Sequence, residues 1–183
     1  MKSRKYLFFF ILSLAFLNVK AQLLSALTTS GSIDGNDWVT SIDANSVIEP
    51  GTDYASDFHI ESEINQNTID VSPLLSAIVP LFGWRISVSR NYENWHPALN
   101  LSVRRSGNGT GYAIIRVLQS DINPSISGGN TYQVIPPAPE SAEFFSGKAK
   151  YRDIPIQYKL SGLSVLIPTK TYSTDVTYTI IGL

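Results

Sequence analysis

The most regular feature of the chain is alternation of apolar and polar positions in short runs. Trp84, Ile86 and Val88 alternate with Arg85, Ser87 and Ser89; Leu99, Leu101 and Val103 repeat the pattern before Arg104. Near the end, Tyr172, Thr174, Val176, Tyr178 and Ile180 fall on one side of a period-two stripe. A period of two with one apolar face is the mark of a strand covered on one side. The same criteria predict strands over Ser41–Ile48, Asp57–Glu63, Asn67–Val71, Trp84–Arg90, Ala98–Arg105, Gly111–Leu118, Thr131–Ile135, Phe144–Tyr151, Ile154–Leu160, Leu163–Ile167 and Thr171–Ile181. Clusters of Gly, Pro, Asn and Ser punctuate them. No segment sustains a helical period; Ser72–Leu81, bracketed by Pro73 and Pro80, has room for a single helical turn. The expected fold is therefore all-β, an antiparallel β-sandwich of the immunoglobulin-like or jelly-roll type.

The N-terminus follows a different logic. Lys2, Arg4 and Lys5 precede an apolar run from Tyr6 to Leu17, and Ala21 stands before Gln22. A basic end, a short apolar run and a small exit residue make a secretory signal peptide. The run of about 12 residues is too short for a transmembrane helix, which needs roughly 20. Short signals ending in Ala-Gln resemble those of Bacteroidetes-type Gram-negative bacteria. The expected organisation is a signal peptide over 1–21, an N-terminal extension over 22–37 and one sandwich domain over 38–183. The stretch Leu23–Asp37 has two readings, a flexible extension or an edge strand that pairs with a neighbour.

Composition narrows the roles further. The chain has 183 residues, no cysteine and two histidines. Disulfide scaffolds, thiolate metal sites, cysteine nucleophiles and lipidation at cysteine are ruled out, and no metal or other cofactor is expected. From Gln22 onward there are 10 basic and 15 acidic residues, a net charge of −5. Nine of those acids lie between Gln22 and Trp84, a span without Lys or Arg, whereas the chain from Arg85 carries 10 basic and six acidic residues. Either the two halves pack together and compensate, or they present faces of opposite sign that steer association, head to tail. An exported acidic chain is not expected to bind nucleic acid.

Motifs with chemical connotations reduce mostly to turns. Gly107-Asn108-Gly109-Thr110-Gly111 lacks the Lys-Ser/Thr of a phosphate loop, so it is expected to be a tight hairpin between two alternating strands. Asp34-Gly35-Asn36-Asp37 lacks the spacing of a calcium loop and reads as a solvated turn. His59 and His96 have no activated serine beside them in sequence, and no pair of carboxylates is singled out for glycoside hydrolysis; no catalytic residue is assigned. The densest unusual group is Trp84, Arg85, Arg90, Tyr92, Trp95, His96, Arg104 and Arg105. Trp, Tyr and Arg are the residues that dominate binding hot spots. Within it Arg90, Tyr92, Trp95 and His96 are the expected contacts for a ligand or partner, because Asn91–Pro97 is a polar turn. Trp95→Ala is accordingly expected to weaken binding while costing little stability. Tyr172, Val176, Tyr178 and Ile180 are expected to form a half-buried edge used for subunit contact, with Leu23, Leu24, Leu27 and Ile33 able to supply apolar side chains for strand addition.

Two of these stretches carry a family resemblance. Trp84-Arg85-Ile86-Ser87-Val88 resembles the Trp-x-Leu/Val-x-Val strand of bacterial fimbrial, pilin-like and spore-coat-U-like secreted β-sandwiches. Thr171-Tyr172-Ser173-Thr174-Asp175-Val176-Thr177-Tyr178-Thr179-Ile180 resembles their closing strand, with Lys170-Thr171 in place of the usual Gly-Thr. The resemblance spans Trp84 to Leu183 and implies an exported, non-enzymatic subunit of the periplasm or cell surface, structural or adhesive, with no catalytic residues to carry over. The alternative is a carbohydrate- or protein-binding module of the same fold. Expected partners are further copies of the chain, other surface subunits or a glycan.

Overall fold

The computed structural model describes residues 29–42, 58–73, 83–113, 123–164 and 166–183. The expected signal peptide, Leu23, Leu24 and Leu27, most of the strands expected over Ser41–Ile48 and Gly111–Leu118, and the turn expected over Ser72–Leu81 beyond Pro73 lie outside them. Eleven strands are described: β1 (Thr29–Gly35), β2 (Ile60–Glu61), β3 (Asn67–Pro73), β4 (Trp84–Arg90), β5 (Asn100–Arg105), β6 (Thr110–Tyr112), β7 (Ser125–Gly128), β8 (Gln133–Val134), β9 (Ala142–Lys148), β10 (Lys150–Ser161) and β11 (Val176–Gly182). They form two antiparallel sheets, and no helix is found among the described residues. One sheet runs β1-β3-β10-β5-β8, with β2 and β6 also on β10; the other runs β11-β4-β9-β7.

The twelve-residue β10 is the axis of the larger sheet. On one side it pairs first with β3 and then with β2; on the other, Lys150–Arg152 pair with β6 and Ile156–Ser161 with β5. Each flank of β10 is thus one interrupted strand. Among the described elements no two strands consecutive in sequence pair with each other. This overturns the hairpin expected at Gly107–Gly111: β5 and β6 lie end to end along β10, and the glycine loop bulges out between them. Gly109 has φ +66°, and a Cβ there would sit 2.9 Å from the backbone of Ile154, so the loop lies against β10 where only glycine fits.

Both sheets contribute inward faces to one core. From the smaller sheet come Trp84, Ile86, Val88, Phe144 and Phe145; from the larger come Ile69, Val71, Leu101, Val103, Tyr151, Ile154, Ile156 and Tyr158. The period-two pattern of β4 is therefore burial on one face, as its alternation requires. Trp84 is fully buried, with Phe145 and Tyr151 edge-on to its ring at 5.8 and 5.9 Å. Its indole N–H donates to the Ala149 carbonyl at 2.8 Å. That residue is where the chain leaves the smaller sheet for the larger, and its φ of 69° makes the corner between β9 and β10. A buried carbonyl at such a corner needs a donor, and Trp84 supplies it.

Other departures are a strand that the pattern does not indicate, β7, and strands that are shorter than expected or missing; Asp57–Glu63 contracts to Ile60–Glu61. Thr131–Ile135 contracts to Gln133–Val134, Thr171–Ile181 begins as a strand only at Val176, and the strand expected over Leu163–Ile167 is absent from its described residues, where Leu166 and Ile167 lie in a turn. A second, smaller apolar cluster of Leu99, Leu160 and Leu163 closes this end of the sandwich, with Trp38, Phe58, Ile60, Trp95, Ile167 and Tyr172 packed against it. Leu163 is thus core without being strand.

Candidate functional site

The residues expected to contact a partner lie where β4 ends and the chain turns toward β5. Asn91 and Asn94 fasten this turn to the segment before β11. The Asn91 amide donates to the Asp175 carboxylate at 2.7 Å and its side-chain oxygen accepts from the Asp175 backbone at 3.2 Å. The Thr174 hydroxyl donates to the Asn91 carbonyl at 2.7 Å. The Ser173 backbone donates to the Asn94 carbonyl at 3.1 Å, and the Asn94 amide to the Ser173 hydroxyl at 3.0 Å. Two loops that sequence separates by some eighty residues are thereby one surface.

Within it the four expected contacts divide. Tyr92 is exposed at 64%. Trp95 is half-buried and faces inward, touching both apolar clusters, and its indole N–H donates to the Leu99 carbonyl at 2.8 Å. The expectation of an exposed Trp95 is corrected by this: the turn is polar, but the ring folds under it and plugs the end of the core. Arg90 lies over the same ring, its guanidinium carbon 5.2 Å from the centroid. It donates through Nε to the Ile135 carbonyl at 3.2 Å and through Nη1 to the Asn91 carbonyl at 3.2 Å. Burial lowers its pKa from the ordinary arginine value. The His96 ring meets Tyr172 edge-on at 5.9 Å, and its Nδ1 accepts from the Ala98 backbone at 3.2 Å. Tyr172, which Lys170 also covers at 4.9 Å, donates its hydroxyl to the Pro168 carbonyl at 2.8 Å.

The expected assembly edge divides as well. Val176, Tyr178 and Ile180 share the inward face of β11 and pack on the main core, half-buried. Tyr172 is not on that face; it sits in the preceding loop with the smaller cluster. The Tyr178 hydroxyl donates to that of Tyr158 at 3.0 Å. Burial drives both phenols above the ordinary tyrosine pKa, Tyr178 well above it, where Tyr158 beside it adds to the effect.

On the same flank lies β1. Of the two readings of Leu23–Asp37, the structure has Thr29–Gly35 as an edge strand, paired antiparallel with β3 from Thr29↔Pro73 to Gly35↔Asn67. The Asp34-Gly35-Asn36-Asp37 stretch thus ends a strand, and the Asn36 carbonyl accepts from Gln66 Nε2 at 2.9 Å. Six of the seven β1 residues are exposed. A Cβ at Gly31 would overlap the Ile180 side chain, so the missing side chain is what lets β1 lie close against β11. The edges of both sheets therefore meet along one flank, with Ile33 of β1 47% exposed there.

A further polar network, on the outer face of the larger sheet, was not visible in sequence as a group. Arg104 donates through Nε and Nη2 to Gln157 Oε1 at 3.0 and 2.8 Å, and Gln157 Nε2 donates to the Ser62 carbonyl at 3.0 Å and to Glu61 at 3.3 Å. The Tyr132 ring carries two cations, Lys159 at 4.4 Å and Arg104 at 4.6 Å. Burial, and next the Glu61 charge, raise the Tyr132 pKa. Sequence singles out Arg104 but not its partners; the available signal for them is Gln157, an amide set between Ile156 and Tyr158.

Among the described residues no group of three or more His, Cys, Asp or Glu side chains could hold a metal, and no helix is long and apolar enough to cross a membrane. Compared with family models, curated proteins and solved structures, the chain matches none.

Proposed function

We propose that the chain is an exported, non-enzymatic structural or adhesive subunit of the bacterial periplasm or cell surface, fimbrial-like in its mode of assembly, in which β1 is the strand that passes between copies. The observation that carries this is the attachment of β1. It is held by a ladder of backbone hydrogen bonds to β3 and by the close approach of Gly31 to Ile180, with six of its seven residues exposed. Releasing it costs little apolar burial, and the same β1 of a neighbouring copy restores every pair. Exchange between identical copies is therefore close to neutral in contact energy, which is the condition for strand exchange and strand addition. The N-terminal signal pattern of Met1–Ala21 and the strand resemblances of Trp84–Val88 and Thr171–Ile180 support export and a surface role.

Two versions of the protein test the proposal, one beginning at Gln22 and one at Trp38. Light scattering after size exclusion is expected to find concentration-dependent oligomers in the first, lost in the second. Equally stable monomers from both, at high concentration, would end the assembly reading. A second reading, a carbohydrate- or protein-binding module, is favoured by one specific feature: exposed Tyr92 beside the ordered Arg90–Trp95 pair. Glycan-array binding by a protein that stays monomeric would select it.

A further inference from the structure

We propose that the cleft beside Gly107 is a binding site for an oxyanion: a carboxylate, sulfate or phosphate group, free or carried on a sugar. Two consecutive arginines, Arg104 and Arg105, end β5. Strand alternation sends them to opposite faces, Arg104 outward beside Gln157 and Arg105 inward beside Ile156. Arg105 is only 6% exposed. It donates through Nε and Nη2 to the Gly128 carbonyl at 2.9 and 2.6 Å, and through Nη1 to the Gly107 carbonyl and to Asn108 Oδ1, both at 2.8 Å. Its guanidinium also lies over the Phe145 ring at 5.3 Å.

Every one of those acceptors is neutral. The ion pairs among the described residues are His59–Glu61 and Arg85–Glu143, and neither involves Arg104 or Arg105. A guanidinium stays charged at any depth the fold can put it, so Arg105 is a buried cation with hydrogen bonds but no counter-charge. Such a group is costly unless an anion is near. Burial is also the leading cause of the lowered Arg105 pKa.

The geometry offers a place for that anion. A cleft of about 290 Å³ is lined by Arg104, Arg105, Ser106, Gly107, Asn108 and Asn130, with Ile64 at its margin and no acidic side chain in its lining. Arg104 spends Nε and Nη2 on Gln157, leaving its Nη1 hydrogens for a ligand. Asn108 spends its oxygen on Arg105, which leaves its Nδ2 as a donor. The cleft thus has two arginines and two asparagines in its lining, around a volume near the small end of ligand pockets. Planar guanidinium groups are matched to oxyanions, and the amides suit the hydroxyls of a sugar that bears one.

The test is a chemical-shift titration of the protein from Gln22 with sulfate, phosphate, glucuronate and N-acetylneuraminate. Glucose serves as the neutral control, with ionic strength fixed by chloride. Saturable shifts confined to Arg104–Asn108 and Asn130 are expected with at least one anion and not with glucose. Response to the inorganic ions alone identifies a free anion; response to the sugar acids alone identifies a carried one. Asn130→Asp should weaken binding about tenfold or more through charge repulsion and leave the melting temperature unchanged. Asn108→Asp should abolish binding and raise the melting temperature, because the new carboxylate becomes the missing counter-charge of Arg105. Absence of saturable shifts with all four anions, or parental affinity in both variants, would overturn the proposal.

Discussion

Replacing Trp95 by alanine separates a side chain that plugs the core from one that waits for a partner. The ring is half-buried, bridges the two apolar clusters, donates to the Leu99 carbonyl and supports Arg90. Truncating a fully buried Trp costs about 3–5 kcal/mol; half-burial brings that to roughly 2. The lost hydrogen bond, which orphans the Leu99 carbonyl, adds about 1. The expected loss is therefore about 3 kcal/mol, a fall of roughly 6–12 °C in melting temperature for a domain of this size. Tyr92→Ala, on the exposed neighbour, should stay within about 0.5 kcal/mol of the parent. Guanidinium unfolding followed by far-ultraviolet circular dichroism measures both without relying on the indole that is removed. A Trp95→Ala loss below about 1 kcal/mol with an unchanged denaturant slope would refute the packing argument and restore Trp95 to the binding surface.

Gly147→Ala should destabilise by about 1–3 kcal/mol, because its Cβ would run into the Trp84 ring; parental stability in urea would show that this wall of the core yields. The fold resists ionising Tyr158 and Tyr178, whose pKa values it raises above that of the unfolded chain. Their contribution to stability is therefore complete below about pH 10 and declines as pH rises from there. Denaturant midpoints measured across the alkaline range should fall in the parent and fall less steeply in Tyr158→Phe/Tyr178→Phe; parallel curves would count against it. N-terminal sequencing of exported protein should begin at Gln22, and an intact Met1 there would remove the signal-peptide reading.

The parts of the fold legible in sequence are those where one strand meets one core face. β4 alternates because Trp84, Ile86 and Val88 point inward and nothing interrupts the pleat, so its bounds follow from the pattern alone. β10 defeats the same method. Arg152 and Asp153 form an irregularity in the register against β3, with Asp153 at φ 54°, and split one twelve-residue strand into what reads as two. The corner at Ala149 carries no Gly or Pro to announce it; its conformation is held by tertiary contacts, among them the Trp84 hydrogen bond. Asn-Gly at 108–109 correctly signals positive φ, but which strand the chain rejoins is a question of sheet topology that turn chemistry does not carry. β1 is hidden for the opposite reason. Its residues, Thr-Ser-Gly-Ser-Ile-Asp-Gly, bury almost nothing and so leave no apolar period to find. The candidate site shares this division: Arg90, Trp95 and His96 could be picked out by residue type, whereas the inward turn of Trp95 depends on Leu99 and on a second cluster assembled from distant segments.

Because the chain has no native cysteine, the role of β1 can be read directly by Ser30→Cys/Ser72→Cys. These two residues are register partners across β1 and β3. Oxidation in concentrated solution, or in the surface fraction of the producing cells, followed by non-reducing electrophoresis, reports whose β1 lies on whose β3. Strand exchange through β1 should give a ladder of cross-linked multimers that collapses to one band on reduction. A monomer locked within itself at every concentration and in the surface fraction would contradict it.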